Sequence, residues 1–260
     1  MIRQHWYLVQ QLARYEVISR YKGSLLGLLW MLVNPLMMLA VYGFVFTLVF
    51  NARWPGLIET DQTGFVLVLF SGLIVFSFAS EAWTRAPSLL RENPSYVKKV
   101  IFPLYVLPIV ALAPPLFQAV VSSAILLLGY LILIGPPPAA ALLLPLVALI
   151  YVVVVLGVSY LLMTLGTFVP DLRHAVGTLM TVLLFVSPVF YPLAAIPAPL
   201  QPIVALNPLS FFLETTRALL FDGTPPRFHL WLIAFLGATL CLALGLLAFR
   251  KARDAFSDVL

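Results

Sequence analysis

The residues that could do covalent or metal chemistry in this chain are few and badly placed for it. Its lysines are Lys22, Lys98, Lys99 and Lys251, and none precedes Ser or Thr, so the Gly-Lys-Ser/Thr ending of a phosphate-binding P-loop is absent. The histidines His5, His174 and His229 are isolated, with no His-Glu-x-x-His zinc helix. A single cysteine, Cys241, lies in an apolar run, which excludes an intramolecular disulfide and a thiol-rich metal site and suits a small packing residue. The long apolar stretches also lack the acids and bases of a proton relay or ion-coupled carrier. If this chain takes part in uphill work, the energy comes from elsewhere.

The remaining candidates bind rather than react. Arg14, Arg20 and Lys22 form a basic cluster that either holds a membrane boundary or meets the phosphate of an incoming lipid. Leu89, Leu90, Tyr96 and Val97 stand among charges, as a plain loop or as a small docking knob for a partner. Glu214 and Arg217, three apart on a helix, form a pair by spacing alone. Aromatic rings are the largest sugar-compatible surface, and Trp30, Tyr42, Phe46, Tyr151, Tyr160, Phe190 and Tyr191 are the candidates for lining a path. In membrane helices such rings also serve as packing and interfacial belts.

These residues sit in a chain of 260 residues that is 62% hydrophobic and 10% charged, with mean hydropathy +1.06. Soluble domains carry about 25% charged residues, so the composition is that of an all-α integral membrane protein. Arg3 is followed by no short apolar core with a small-residue cleavage site, and no removable signal peptide is expected. Charge-free intervals place spans at about 28–50, 64–80, 104–134, 142–168, 175–193 and 229–249. Gly135–Ala140, GPPPAA, divides the long apolar stretch, and Pro170–His174 separates the next span. Six spans return both termini to one side. Arg3, Arg14, Arg20, Lys22, Arg85, Arg91, Lys98, Lys99, Arg173, Arg250, Lys251 and Arg253 share that side, against Arg53, Arg217 and Arg227 opposite. By the positive-inside rule the termini are cytoplasmic, and the net charge of +5 reflects topology rather than nucleic-acid binding.

Three segments fall outside the simple spans. Residues 1–22 alternate as an amphipathic helix suited to the cytoplasmic interface. Glu16 and Arg20 fall on its apolar side, where an i,i+4 pair would soften the misfit. Residues 81–103 hold a short helix at Ser88–Glu92, with Ser88 as a possible cap, and a turn at Asn93–Pro94. Residues 187–228 carry eight of the 21 prolines and little charge, and read as short helices near Pro199–Ala205 and Pro208–Phe221 that fold back toward the membrane. Irregular backbone there requires burial in protein or access to water, which points to a pathway or gate. Within the first span, Pro35 removes a ladder bond and frees the carbonyl of residue 31. Gly23–Ser24 lets the interfacial helix turn into the bilayer.

Arg20–Phe50, RYKGSLLGLLWMLVNPLMMLAVYGFVFTLVF, closely resembles the first-span signature of polysaccharide-exporting ABC-2 permeases. R-E-N-P-S-Y-V-K-K-V-I-F-P at Arg91–Pro103, F-V-P-D-L-R-H at Phe168–His174, S-P-V-F-Y-P at Ser187–Pro192 and N-P-L-S at Asn207–Ser210 continue it in order. The resemblance implies a homodimer with two copies of a separate P-loop ATPase, which would hold ATP and Mg while this chain binds no cofactor. It implies a lipid-linked polysaccharide substrate of capsule, O-antigen or teichoic acid type, the bacterial inner membrane, and in some systems periplasmic export partners. Leu89, Leu90, Arg91, Glu92, Tyr96, Val97 and Lys98 would then couple to the ATPase. Pro199, Pro208, Phe211, Glu214 and Arg217 would form periplasmic gate helices, and residues 1–22 would flank the substrate entrance. An ABC-2 permease for a drug, lipid or haem, and a membrane-embedded glycosyl or lipid-modifying enzyme, remain the alternatives; the latter would need a cluster of acids or histidines at one membrane face.

Overall fold

A computed structural model describes residues 5–20, 22–50, 54, 62–97 and 102–259, and these are helical with no strand among them. α1 (Trp6–Ser19) is followed by a turn in which Gly23 and Gly27 take φ of +90° and +51°. These left-handed values favour glycine, and the Ser24 hydroxyl accepts from Gly27 N–H at 2.9 Å. The chain thereby enters α2 (Trp30–Gly43) through a 3₁₀ turn at Gly27–Leu29 and leaves through a π segment, Phe44–Val49. α3 (Gln62–Arg85) runs on through Ala86–Ser88 into α4 (Leu89–Glu92), and α5 (Pro94–Val97) follows Asn93.

α6 (Val106–Ala111) and α7 (Ala113–Leu133) make one apolar run, interrupted at Leu112 ahead of Pro114 and Pro115. Gly135, at φ +124°, starts the break before the Ala139–Leu143 turn and α8 (Leu144–Phe168). After α9 (Leu172–Val186) come α10 (Gln201–Ala205) and α11 (Pro208–Arg217), the latter extended by a π segment at Ala218–Asp222. α12 (Phe228–Ala252) and α13 (Phe256–Val259) complete the order.

Among the described residues, five helical runs are long and apolar enough to cross a membrane: 27–49, 64–92, 106–133, 139–168 and 228–255. They coincide with the first, second, third, fourth and last expected spans. The second continues past residue 80, because Glu81 and Arg85 pair with other residues instead of ending the helix in water. The expected span at 175–193 is shifted and shortened. Its helix is the 15-residue Leu172–Val186, about 22 Å long at 1.5 Å per residue. Pro188 cannot donate to the ladder and pushes Ser187 to extended geometry, with ψ 150°.

Burial concentrates around α3, α8 and α11. Phe78, Trp83, Tyr151, Val155, Phe212 and Leu213 pack into the main core, and Trp83 Nε1 donates to the Val155 carbonyl at 3.2 Å. α8 and α12 cross with backbones nearly touching, for a Cβ on Gly245 would lie 2.3 Å from the Gly157 carbonyl oxygen. Lipid-sized apolar side chains remain outside, among them Leu36 and Phe44 at α2, Ile132 on α7, and Ile233 and Phe235 on α12. A bilayer provides the apolar contact those faces need.

Candidate functional site

A cavity of about 800 Å³ lies among α2, α3, α7 and α9. Its chemistry follows from the period of α3. Ser77, Ser80, Glu81, Thr84, Arg85 and Ser88 recur every three or four residues and line the cavity as one polar stripe. Facing it are Asn34 of α2 and Gln118 and Ser122 of α7, while Phe70, Leu73 and Ile74 supply apolar wall. The space therefore offers hydroxyl, amide and hydrocarbon surface together, which suits a ligand with both hydroxylated and apolar parts.

Asn34-Pro35 is part of this wall. Pro35 has no N–H for the carbonyl of Met31, and Gln118 Nε2 donates to that oxygen at 3.0 Å. The side chain of a neighbouring helix thus replaces the missing ladder bond. At the α1 end of the cavity, Arg85 grips Glu16 through two bonds, 2.9 and 3.2 Å, and lies 3.5 Å from Glu92. Arg20 pairs with Glu81. The expected Glu16–Arg20 pair within α1 is therefore replaced by two ion pairs to α3: the short-range rule counts only helix neighbours, and docking of α1 supplied better-placed partners. Val9 and Leu12 of α1 pack on Val106, Ile109 and Val110 of α6, which accounts for its apolar side. Arg14 and Lys22 are exposed and stand apart from the cavity lining. Residues 1–4 of the expected interfacial helix lie outside the described residues.

The aromatic candidates separate by environment. Tyr42 lines the cavity. Phe190 sits 6.0 Å from it and stacks on Phe46 at 5.5 Å, so these three form one aromatic patch. Trp30 is half-buried at the start of α2 and lines neither cavity described here. Tyr191 donates to the carbonyls of Phe185 and Val186, at 2.6 and 3.1 Å, and so closes the end of α9. Tyr151 and Tyr160 are corrected from path to core. They are 5% and 2% exposed, and their hydroxyls donate to Val75 and Tyr105 carbonyls at 2.8 and 2.5 Å. An aromatic residue type gives no information about which face of its helix is filled.

The docking knob is corrected in part. Leu89 and Leu90 are 2% and 0% exposed and pack with Leu107, Met163, Phe249 and Phe256. Gly166 permits this, since a Cβ there would fall 2.3 Å from the Pro87 carbonyl oxygen. Arg91 and Glu92 are exposed; Arg91 also donates to the Thr167 carbonyl at 2.9 Å. Tyr96 is half-buried against Phe102, with ring centroids 4.2 Å apart. Val97 ends α5, and Lys98 lies outside the described residues. Ser88 does not cap α4; its hydroxyl donates to the Arg85 carbonyl and the Glu92 carboxylate.

At the opposite end, α11 ties two sequence landmarks together. Asn207 accepts from Leu209 N–H at 3.0 Å, capping α11 ahead of Pro208, and donates to Ser187 Oγ at 2.8 Å. Arg217, 4% exposed, donates to the Pro188 carbonyl and, at 2.6 Å, to that of Val189. It also lies over the Trp54 ring at 4.5 Å and 3.4 Å from Glu214, which is the pair expected from spacing. Burial pushes the Glu214 carboxyl up, with Arg217 opposing. Burial likewise lowers the Arg217 guanidinium to about 10, with Glu214 opposing. Arg217 is therefore charged at neutral pH and needs its carbonyl partners. A second cavity of about 470 Å³ lies here, lined by Phe211, Glu214 and Arg217, while Pro199 and Pro208 are exposed.

Sequence reasoning missed the α3 stripe, Gln118, Ser122 and Arg173. Ser77, Ser80 and Thr84 were legible as small hydroxyls at helical spacing, and Glu-x-x-x-Arg occurs at both 16–20 and 81–85. No group of three or more potential metal ligands occurs among the described residues.

Comparison with known proteins adds the remaining finding. A family model described as ABC-2 type transporter matches residues 7–221. The chain is 28% identical over 254 residues to the O-antigen export system permease protein RfbA of Myxococcus xanthus, covering 96% of this chain and 94% of that protein. It is 27% identical over 242 residues to a Klebsiella pneumoniae protein of the same name, with 93% and 90% covered.

Proposed function

The chain belongs to the ABC-2 type transporter family, and from this we propose that it is the membrane permease subunit of an ATP-driven exporter moving a lipid-linked polysaccharide across the bacterial inner membrane. The observation that carries the reading is similarity along almost the whole chain to permeases named for O-antigen export. The cavity is chemically apt, for its hydroxyl and amide stripe runs beside apolar wall. ATP and Mg belong to a separate ATPase, two copies of which serve a homodimer of this chain, and nucleic acid has no part.

In this reading the chain crosses six times with both termini cytoplasmic, α9 with the irregular Ser187–Pro192 making the fifth crossing. Arg91, Glu92 and α5 face the ATPase, while buried Leu89 and Leu90 carry its motion into α6 and α8. Arg14, Arg20 and Lys22 attract the lipid phosphate, and the glycan advances past the stripe and the Tyr42–Phe46–Phe190 patch. α10 and α11 act as the periplasmic gate, beyond which periplasmic export partners receive the product.

Deletion of the gene tests the reading. Loss of surface polysaccharide, with lipid-linked polymer retained inside the cell and export restored by the intact gene, is the expected result. An unchanged surface glycan with altered drug, lipid or haem handling would transfer the same architecture to another cargo. Purification in mild detergent adds the partner test: a stoichiometric ATPase should accompany the chain.

A further inference from the structure

Two motifs of identical spacing close one end of the larger cavity. Glu16 and Arg20 stand at the end of α1, and Glu81 and Arg85 at the end of α3. They engage crosswise, Arg85 with Glu16 and Arg20 with Glu81. Arg173, in the first turn of α9, lines the same cavity and makes no ion pair among the described residues. Its helix lies beside the same part of α3, because a Cβ on Gly177 would touch Thr84 at 4.0 Å. Four of these charges, Arg20, Glu81, Arg85 and Arg173, line the cavity directly.

We propose that Arg20, Arg85 and Arg173 form a phosphoanion site, and that Glu16 and Glu81 are its removable occupants. A phosphate or diphosphate meets Arg173 first, then displaces Glu81 from Arg20 and Glu16 from Arg85. Guanidinium forks match phosphate oxygens as well as they match carboxylates. The exchange strands no charge, because the Glu16 and Glu81 side chains are already 28% and 34% exposed and return to water when released. Its mechanical result is that α1, held to α3 here by those bonds, separates from it and widens the mouth. Arg85 also contacts Glu92 of α4 at 3.5 Å, so the same exchange reaches the segment carrying Arg91 and Glu92. The neighbouring hydroxyl stripe and apolar wall fit a phosphate borne on an amphiphile. Only the identity of that amphiphile rests on the export reading.

The test is binding of a fluorescent farnesyl diphosphate to the full chain in phosphatidylcholine nanodiscs, with inorganic pyrophosphate and phosphatidylglycerol as competitors. Glu81→Gln and Glu16→Gln should each tighten binding by about two- to fivefold, the affinity equivalent of releasing a part-exposed ion pair. Arg173→Gln should weaken it by about tenfold or more. Labels on α1 and α3 should move apart when the ligand binds to the unsubstituted chain. Tryptophan fluorescence confirms folding, and the two glutamate variants test separate bonds if one of them does not fold. Competition by pyrophosphate, with the same response to substitution, supports the site and assigns recognition to the anion alone. Competition by phosphatidylglycerol instead supports it with a bilayer phospholipid as the phosphate source, and response only to the diphosphate lipid assigns it to that head group. Equal or weaker binding in both folded glutamate variants, together with no effect of Arg173→Gln, overturns the proposal. If glycan export is intact while binding is flat across the variants, the latch alone fails. If the glycan phenotype is absent while the variant pattern holds, the export reading fails and the site stands.

Discussion

At the residue scale, the ring that lines space and the ring that fills it should respond differently to loss. Tyr42 borders the cavity and neighbours Phe190, so Tyr42→Ala should lower glycan export several-fold while leaving the protein folded. Tyr151 is buried between Phe78 and Phe212, with centroid separations of 5.6 and 4.5 Å. Tyr151→Phe keeps that packing and loses one bond to Val75, at a cost of about 1 kcal/mol, with export unchanged per folded molecule. Surface glycan measured against the amount of folded permease separates the two effects. Equal loss of export per folded molecule in both variants would return Tyr151 to the path. A similar argument applies to Gln118→Leu, which leaves the Met31 carbonyl unpaired beside the cavity. Thermal unfolding should register a loss of about 1 kcal/mol, small because cavity water can take over the bond.

At the element scale, the helices that carry α4 are held by absent side chains. Gly166→Ala would place Cβ 2.3 Å from the Pro87 carbonyl oxygen and 2.4 Å from Pro87 Cα, and neither atom can move without shifting the turn into α4. Gly157→Ala meets the backbone nitrogen of Leu242 at 2.6 Å. Each should destabilise by about 1–3 kcal/mol or more, read as earlier thermal unfolding in detergent. Gly166→Ala should in addition reduce ATPase stimulation, because it moves the segment proposed to face the ATPase, whereas Gly157→Ala should not. The helices were legible because twenty apolar residues between charges have few other solutions, and because Gly135 and the prolines after it break the chain by local sterics; the break at Pro188 was passed over by a span drawn to residue 193. What lay beyond reach was non-local. Glu16 finds Arg85 across 69 positions, and Gln118 finds Met31 across 87; no spacing rule connects such residues. Burial of Leu89 and Leu90 was similarly concealed, because a short apolar pair among charges suits a knob or a plug equally.

At the scale of the whole molecule, the number of crossings turns on α9. Its length of about 22 Å falls short of a hydrocarbon core of about 30 Å. The deficit can be made up only if the following irregular backbone lies within protein. The geometry meets that condition: Ser187, Pro188 and Val189 are buried, and their polar atoms are engaged by Asn207 and Arg217. Arg217 thus ties this irregular backbone to α11, as the proposed fifth crossing requires. Six crossings place Arg14 and Arg253, both exposed, on the same side, and five would place them on opposite sides. In a Cys241→Ser background, Arg14→Cys and Arg253→Cys should both resist a membrane-impermeant maleimide in spheroplasts and react after permeabilisation. Arg227→Cys should react without permeabilisation. Labelling of only one terminal site in intact spheroplasts would mean that α9 does not cross, and the proposed cytoplasmic placement of Arg20, Arg85 and Arg173 would then have to be redrawn along with the fold.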